Sequence, residues 1–369
     1  MNTNRKPHFR PIRRAAATIA LTALLLSVAI IAASAETQTQ PDRTAQSRVI
    51  YEINKAAGKD LGTYMVLQGS CTDGAYGYYV LYSKSKKNCR ILKTSLTDNR
   101  KAKLSDALPL DHGNDATFNE NTDEIVVANY DPHPNRLTVV DSNTLRVKRR
   151  VDVTVPQSLP GASASTLQSV KGFSGVAYSS ARKQYVVRIQ KSNNYLLLQE
   201  NMKPIRYIKV NKPDSELNQG IDADENYIYG VKSPKKGKSN TITAYDWKGK
   251  YQFKILVTQQ YEMESLFHVG DTFYAGMYHS YYQTYTKTAY KTCYRTYKVK
   301  WKNVDGKWKY KTKYRYRKVR YKVKWKKVHG KWKYKSRTKK VRITYRKAYK
   351  KTCYKLMGTN YLREIEKLR

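Results

Sequence analysis

The sequence predicts an all-β chain of repeated four-strand units that carries a long basic hairpin arm near its C-terminal end. Three observations support this. Helical periodicity is poor, while short runs of β-branched and aromatic residues recur between turn residues. Strings of small and polar residues open these runs at a spacing of about 45–55 residues. In the C-terminal quarter, aromatic or β-branched residues alternate with Lys at period two.

Residues 1–35 read as an export signal. Arg5, Lys6, Arg10, Arg13 and Arg14 form a positive start, Ala15 to Ala32 is apolar, and Ala33-Ser34-Ala35 is a small-residue cleavage site. Cleavage gives a secreted chain that begins at Glu36. If the leader is kept, its apolar run is long enough to span a bilayer. Residues 36–48 are a polar linker. The body, 49–282, contains the runs Tyr78–Tyr82, Glu124–Ala128, Arg136–Val140, Gln184–Ile189, Tyr195–Gln199, Tyr227–Val231, Thr241–Trp247, Tyr251–Val257 and Thr272–Met277, which are strands by composition and length.

Five openings recur in the body: Gly69–Gly74, His112–Ala116, Gly172–Val176, Asn218–Asp222 and Glu262–Leu266. Four short strands per unit, repeated radially, are the signature of a β-propeller, here of about five blades. A β-sandwich or a six-bladed ring fits the same runs less directly. Phrases such as Val139-Val140-Asp141-Ser142-Asn143-Thr144-Leu145 and Ala244-Tyr245-Asp246-Trp247-Lys248-Gly249 read as outer hairpins turning over. On these phrases the chain resembles secreted bacterial or archaeal propellers with Val-Val-Asp-x-x-Thr-Leu turns. The resemblance implies a ligand site at a central channel lined by the first strand of each blade.

The openings bring His112, Asn114, Ser174, Gln219 and Glu262 to such a channel, with His112, Asp115 and Glu264 as candidate acid or base groups. The structural alternative is that these residues cap strands and fill Asx-turns. No Gly-x-Ser-x-Gly, His-Glu-x-x-His, nucleotide-binding loop or EF-hand loop occurs in the body, and Asp222–Asn226 reads as a turn. No cofactor is expected. A divalent metal at the channel stays open on these donors. The four cysteines form two local pairs, Cys71/Cys89 and Cys293/Cys353. Export permits disulfides in both, the second clamping the base of the arm. Metal binding is disfavoured, because the chain lacks Cys-x-x-Cys and has only 6 His.

The chain has 369 residues, 71 Lys plus Arg, 28 Asp plus Glu and a net charge of +43. From Lys287 to Arg369 there are 33 basic residues against Asp305, Glu364 and Glu366. A charge this concentrated bears on partners, not on fold. Within the arm, 283–352, one phrase occurs twice, 24 residues apart. The first copy holds Lys298, Lys300, Trp301, Lys302, Lys307, Trp308, Lys309 and Lys311. The second holds Lys322, Lys324, Trp325, Lys326, Lys331, Trp332 and Lys333. Asp305-Gly306 is a preferred type I′ pair, and His329-Gly330 takes the same place. A two-residue turn sets Val304 opposite Lys307, Asn303 opposite Trp308, Trp301 opposite Tyr310 and Val299 opposite Thr312. In the second copy it sets Trp325 opposite Tyr334. One face then carries aromatic pairs and the other Lys302–Lys309, Lys300–Lys311 and Lys326–Lys333, which repel. A polyanion lying across that face relieves the repulsion and releases counterions.

The expected function is an exported scaffold that holds anionic cell-envelope polymers, teichoic acid or acidic glycan, through this arm. Extracellular nucleic acid is a second candidate partner. Membrane contact comes only through an uncleaved leader or anionic lipid headgroups. The competing reading is a carbohydrate-active or lyase-type propeller enzyme whose arm serves localisation. Residues 353–369 are expected to close the last blade and form the tail.

Overall fold

A computed structural model describes residues 42–365 except 59, 214–216, 234–238 and 260. The leader lies outside the described residues. Two strands open the described chain, β1 (Arg43–Ala45) and β2 (Ser47–Glu52), followed by a short 3-10 turn at Ile53–Gly58. Four-stranded antiparallel sheets then succeed one another. The first holds β3 (Val66–Thr72), β4 (Tyr76–Ser83), β5 (Asn88–Ser95) and β6 (Ala102–Leu104). The second holds β7 (Asp115–Asn119), β8 (Glu124–Ala128), β9 (Arg136–Asp141) and β10 (Val147–Asp152). The third holds β11 (Phe173–Ser179), β12 (Gln184–Ile189), β13 (Tyr195–Gln199) and β14 (Pro204–Ile208). In the fourth, β15 (Leu217–Ala223), β16 (Tyr227–Ser233), β17 (Asn240–Asp246) and β18 (Tyr251–Val257) gain β1 as a parallel edge strand.

The fifth sheet runs β19 (Glu262–Val269), β20 (Thr272–Tyr294), β25 (Thr344–Ile365) and β2. Its outer strand therefore comes from the start of the chain. The first strands touch in a closed cycle, β3 to β7 to β11 to β15 to β19 and back to β3. The body is a five-bladed β-propeller.

Burial on both faces explains the strand sequences. In β8, Ile125 and Val127 pack with Tyr78, Val80 and Ile91 of the first blade, while Val126 and Ala128 pack with Phe173, Val176 and Val187 of the third. Alternate side chains thus feed two cores, so an inner strand reads as unbroken hydrophobic residues. Five such interblade clusters close the ring, the last joining Tyr51, Phe267 and Leu362 to Leu67, Tyr79 and Leu81. Outer turns are held by aspartates. Asp141 Oδ1 accepts from the N–H groups of Asn143 and Thr144, and Asp246 Oδ1 accepts from those of Lys248 and Lys250. Asp224 caps its turn in the same way.

The expected disulfides are not formed: Cys71, Cys89, Cys293 and Cys353 are all free thiols. For the first pair the register gives the reason. Cys71 pairs with Tyr78 while Cys89 pairs with Tyr82, so strand β4 separates them and they sit at different heights along it. Cys89 Sγ instead lies 3.5 Å from the carbonyl oxygens of Asp111 and His112. For the second pair, β20 and β25 meet at the bond from Arg295 N–H to Ile343 O. Cys293 lies two residues from that end and Cys353 ten, an offset of about 27 Å at about 3.4 Å per residue.

The chain divides into two compact units, residues 42–279 with 358–365 as the body, and Ser280–Met357 as the arm. The arm is three two-stranded ladders. The first is the stem of β20 and β25. The second pairs β21 (Thr296–Val304) with β22 (Lys307–Tyr314), and the third pairs β23 (Tyr316–Val328) with β24 (Lys331–Arg342). The hairpins do not share a continuous strand, because Arg315 interrupts them. Arg295 N–H bonds Ile343 O, Ile343 N–H bonds Arg315 O and Arg315 N–H bonds Arg295 O, each at 2.8 Å. This cyclic set forms a three-way junction, over which Arg342 lies 4.2 Å from the Tyr314 ring centre and 5.5 Å from that of Tyr294.

Candidate functional site

Each first strand carries the same two-residue step at the ring axis: Gln68-Gly69, Asn114-Asp115, Ser174-Gly175, Gln219-Gly220 and Glu264-Ser265. A register shift follows or contains that step in four of the five first strands. The second residue of the step lies against the axis, where space is scarce. A Cβ on Gly69 would fall 2.6 Å from the backbone carbonyl carbon of Asp115, and one on Gly220 would fall 2.8 Å from Asp115 Oδ1. Three glycines and a serine thus leave room for a single carboxylate.

Asp115 fills that room. Its Oδ2 accepts from the N–H groups of Ile221 (2.9 Å) and Val176 (3.1 Å), while Oδ1 is buried without a partner. Burial pushes its carboxyl up to about 8, although the two N–H groups and the Arg188 charge oppose the shift. Arg188 is itself fully buried, donating to Gln219 O (2.5 Å) and Gly220 O (3.2 Å). Asp115, expected as an acid or base group, thus ties its own blade to the third and fourth at the axis.

The near mouth gathers the remaining sequence-derived candidates. His112 Nδ1 lies 3.2 Å from Asn114 Oδ1, with the imidazole between the rings of Tyr82 (4.6 Å) and Tyr130 (5.8 Å). Burial lowers its pKa, with the Lys84 charge adding to the shift. Asn114 donates to Ser174 O (2.7 Å), and the Ser174 hydroxyl is buried without a partner. Gln219 donates to Glu262 Oε1 (2.9 Å). Glu264 is buried, and both that burial and the nearby Glu262 charge raise its pKa, against Lys84. Among the described residues no hydrogen bond joins His112, Asp115 and Glu264 into an acid–base set, and no group of three His, Cys, Asp or Glu could hold a metal ion.

The far mouth was not legible in the sequence. A cavity of about 180 Å³ is lined there by Cys71, Asp73, Glu120, Asp222 and His268, among others. His268 Nδ1 lies 2.6 Å from Asp222 Oδ2, and the Asp222 charge raises the imidazole to about 9, against its own burial. Burial pushes the Cys71 thiol well up, so it is an un-ionised wall group. Only the equivalent positions Thr72, Phe118, Tyr178, Ala223 and His268, read across the five repeats, could have signalled this mouth.

The basic arm is the second candidate surface. It carries thirty Lys and Arg against Asp305 alone. Among the described residues, none of its cations forms an ion pair. Asp305 and Gly306 have φ of 47° and 75°, and His329 and Gly330 have 48° and 76°, as type I′ turns require. Val304 faces Lys307, Asn303 faces Trp308 and Lys302 faces Lys309. Beyond Lys302 the register slips by one, so Trp301 does not face Tyr310. Lys300 faces Tyr310 instead, Val299 faces Lys311, and Lys298 faces Thr312. The second hairpin slips at the same place: Lys326 faces Lys333, but Lys324, not Trp325, faces Tyr334. The expected separation into one lysine face and one aromatic face is thereby corrected. Past each bulge, lysine and aromatic share a face, with Lys300 Nζ 5.1 Å from the Trp308 ring centre and Lys324 Nζ 5.2 Å from that of Trp332.

No family model and no curated protein matches the chain. Among solved structures it is similar to hydrazine synthase of Kuenenia stuttgartiensis, at 11% identity and a TM-score of 0.37, over 60% of this chain and 58% of that one. A nidogen/laminin complex matches at 12% and 0.37, over 57% of this chain and 72% of that chain. Regucalcin, a calcium-binding protein from Agrobacterium tumefaciens, matches at 10% and 0.36, over 64% and 87%. The chain thus spans less than two thirds of the hydrazine synthase chain. Likeness at this level carries nothing about function, and the propeller assignment rests on strand order and ring closure.

Proposed function

We propose that the protein is an exported scaffold that holds an anionic envelope polymer, teichoic acid or acidic glycan, along its arm. The observation that carries this is the exposure of thirty cations and four tryptophans across the arm, with one carboxylate among them. Solvated protein surfaces mix both signs. Here like charges face one another at Lys302–Lys309 and Lys326–Lys333. Such pairs destabilise a ladder until a counter-charge covers them. Two-stranded hairpins exposed on both faces are also marginally stable alone, so a bound polymer orders the surface that binds it.

The test is retention of the full chain on immobilised teichoic acid and acidic glycan across a salt series. Retention is expected to fall linearly on a log–log plot as counterions are released. Converting Lys302, Lys309, Lys326 and Lys333 to Glu is expected to abolish it. Retention that ignores both salt and these substitutions would refute the proposal.

A further inference from the structure

The two hairpins share a feature that charge alone does not require. Each breaks its ladder at a tryptophan, between Lys300 and Lys302 and between Lys324 and Lys326. Trp301 and Trp325 are therefore left without cross-strand partners. A regular ladder would set them opposite Tyr310 and Tyr334, as favourable aromatic pairs. Both copies forgo that pair and expose the indoles instead, Trp301 at 58% and Trp325 at 57%. Bulges re-aim side chains and recur where a surface has a task. Each bulged indole also has its own cation: Lys302 Nζ lies 4.8 Å from the Trp301 ring centre and Lys326 Nζ lies 4.5 Å from that of Trp325.

We infer that each bulge is a saccharide clamp for an acidic glycan whose charge sits on the sugar ring itself, such as a polyuronate. This deepens the proposed function and rests on it. The spacing decides the ligand class. Platform and ammonium lie within 5 Å of each other, so one ligand unit must present a flat apolar face and an anion at the same short separation. A uronate does so, because its carboxylate is bonded to a ring carbon. The axial C–H groups of the sugar stack on the indole, and the carboxylate takes the ammonium from its place beside the ring. A polyol phosphate has anions but no ring to stack. In single-stranded nucleic acid a sugar separates each base from its phosphate, so ring and charge reach different places. Both clamp cations are Lys, whose ammonium is a compact point charge that meets an anion without the fixed two-bond geometry of an Arg fork.

The experiment measures binding of the full chain to polygalacturonate, inorganic polyphosphate and single-stranded DNA at matched charge and low salt. It compares wild type with W301A, W325A and the double variant. The double variant is expected to lose about tenfold or more on polygalacturonate and less than about twofold on polyphosphate. In the wild type, polygalacturonate is expected to shift indole fluorescence and polyphosphate is not, a readout that needs no variant to fold. Equal losses on both polymers, or no shift with polygalacturonate, would overturn the clamp while leaving polyanion holding intact. A larger loss on DNA than on polygalacturonate would overturn it in favour of base stacking. Failure of the wild type to bind any of the three would sink the proposed function itself.

Discussion

Asp115 sits at the ring axis and His268 at the far mouth, and both make the fold more stable in mild acid. The Asp115 carboxyl is raised by burial to about 8, from an ordinary value near 4. The folded state therefore keeps its proton longer than the unfolded chain, and stability drains away as pH climbs from about 4 towards 8. Asp115→Asn is expected to flatten that slope, read as the difference in melting temperature between pH 5 and pH 8. A slope unchanged by the substitution would show that the carboxyl is already ionised. His268 is a base whose pKa is raised by Asp222 to about 9. Its ion pair contributes fully below about 6.5 and is lost as pH rises through 9, on the order of 2 kcal/mol given its partial exposure. His268→Gln is expected to remove the fall in stability between pH 7 and pH 10, checked by chemical denaturation at each pH. The sequence brought Asp115 to the channel but gave no sign of the tie it makes between three blades. Its role depends on Gly69, Gly175 and Gly220, which no local pattern ties to residue 115. His268 carried no signal, because Asp222 is 46 residues away and reaches it only through ring closure.

At the scale of elements, what could be read was whatever depends on one strand at a time. The runs Glu124–Ala128, Gln184–Ile189, Tyr195–Gln199 and Tyr251–Val257 are strands with those same limits, since a segment buried on both faces keeps its apolar residues in a row. Each of the five openings overlaps a first strand. What depends on pairing was not legible. Trp301 and Trp325 alternate with lysine without a break, so the slip at each exists only relative to the facing strand. Cys71 and Cys89 flank a hairpin in sequence, yet β4 stands between them in space. The two turns, by contrast, are fixed by local chemistry and can be weakened singly. Gly306 has φ of 75° and open space around it, so an alanine there meets strain without a clash. Gly306→Ala is expected to cost about 1 kcal/mol in the first hairpin alone. Hydrogen exchange should then quicken about fivefold across residues 296–314 and stay unchanged across 316–342. A change of equal size in both hairpins would mean that the three-way junction couples them.

Ring closure sets the stability of the whole molecule, and it depends on the join between the two ends of the described chain. Strand β2 pairs with β25 from Ser47–Ile365 to Glu52–Tyr361, completing the fifth blade. Arg48 lies 2.8 Å from Glu364, and Arg363 donates to the hydroxyl and carbonyl of Ser47. The ion pair is exposed on the arginine side, so solvent screens it and it contributes little. The strand contributes far more. It covers the backbone edge of β25 and brings Tyr51 into the interblade core with Phe267 and Leu362. A polar stretch with one short apolar run gave little sign of this, because a closing strand packs only its inner face. Removing residues 43–52 is expected to lower the melting temperature by more than 10 °C and to promote association through the bared edge, which is free to pair with another chain. Arg48→Ala alone is expected to shift it by less than about 3 °C. A synthetic peptide of residues 43–52 supplied to the truncated protein should restore the melting temperature and reverse the added association, because an edge strand needs register but no covalent link. If the truncated ring melts like the intact one, the fifth blade holds with three strands, and the closure must instead lie in the contact between β19 and β3.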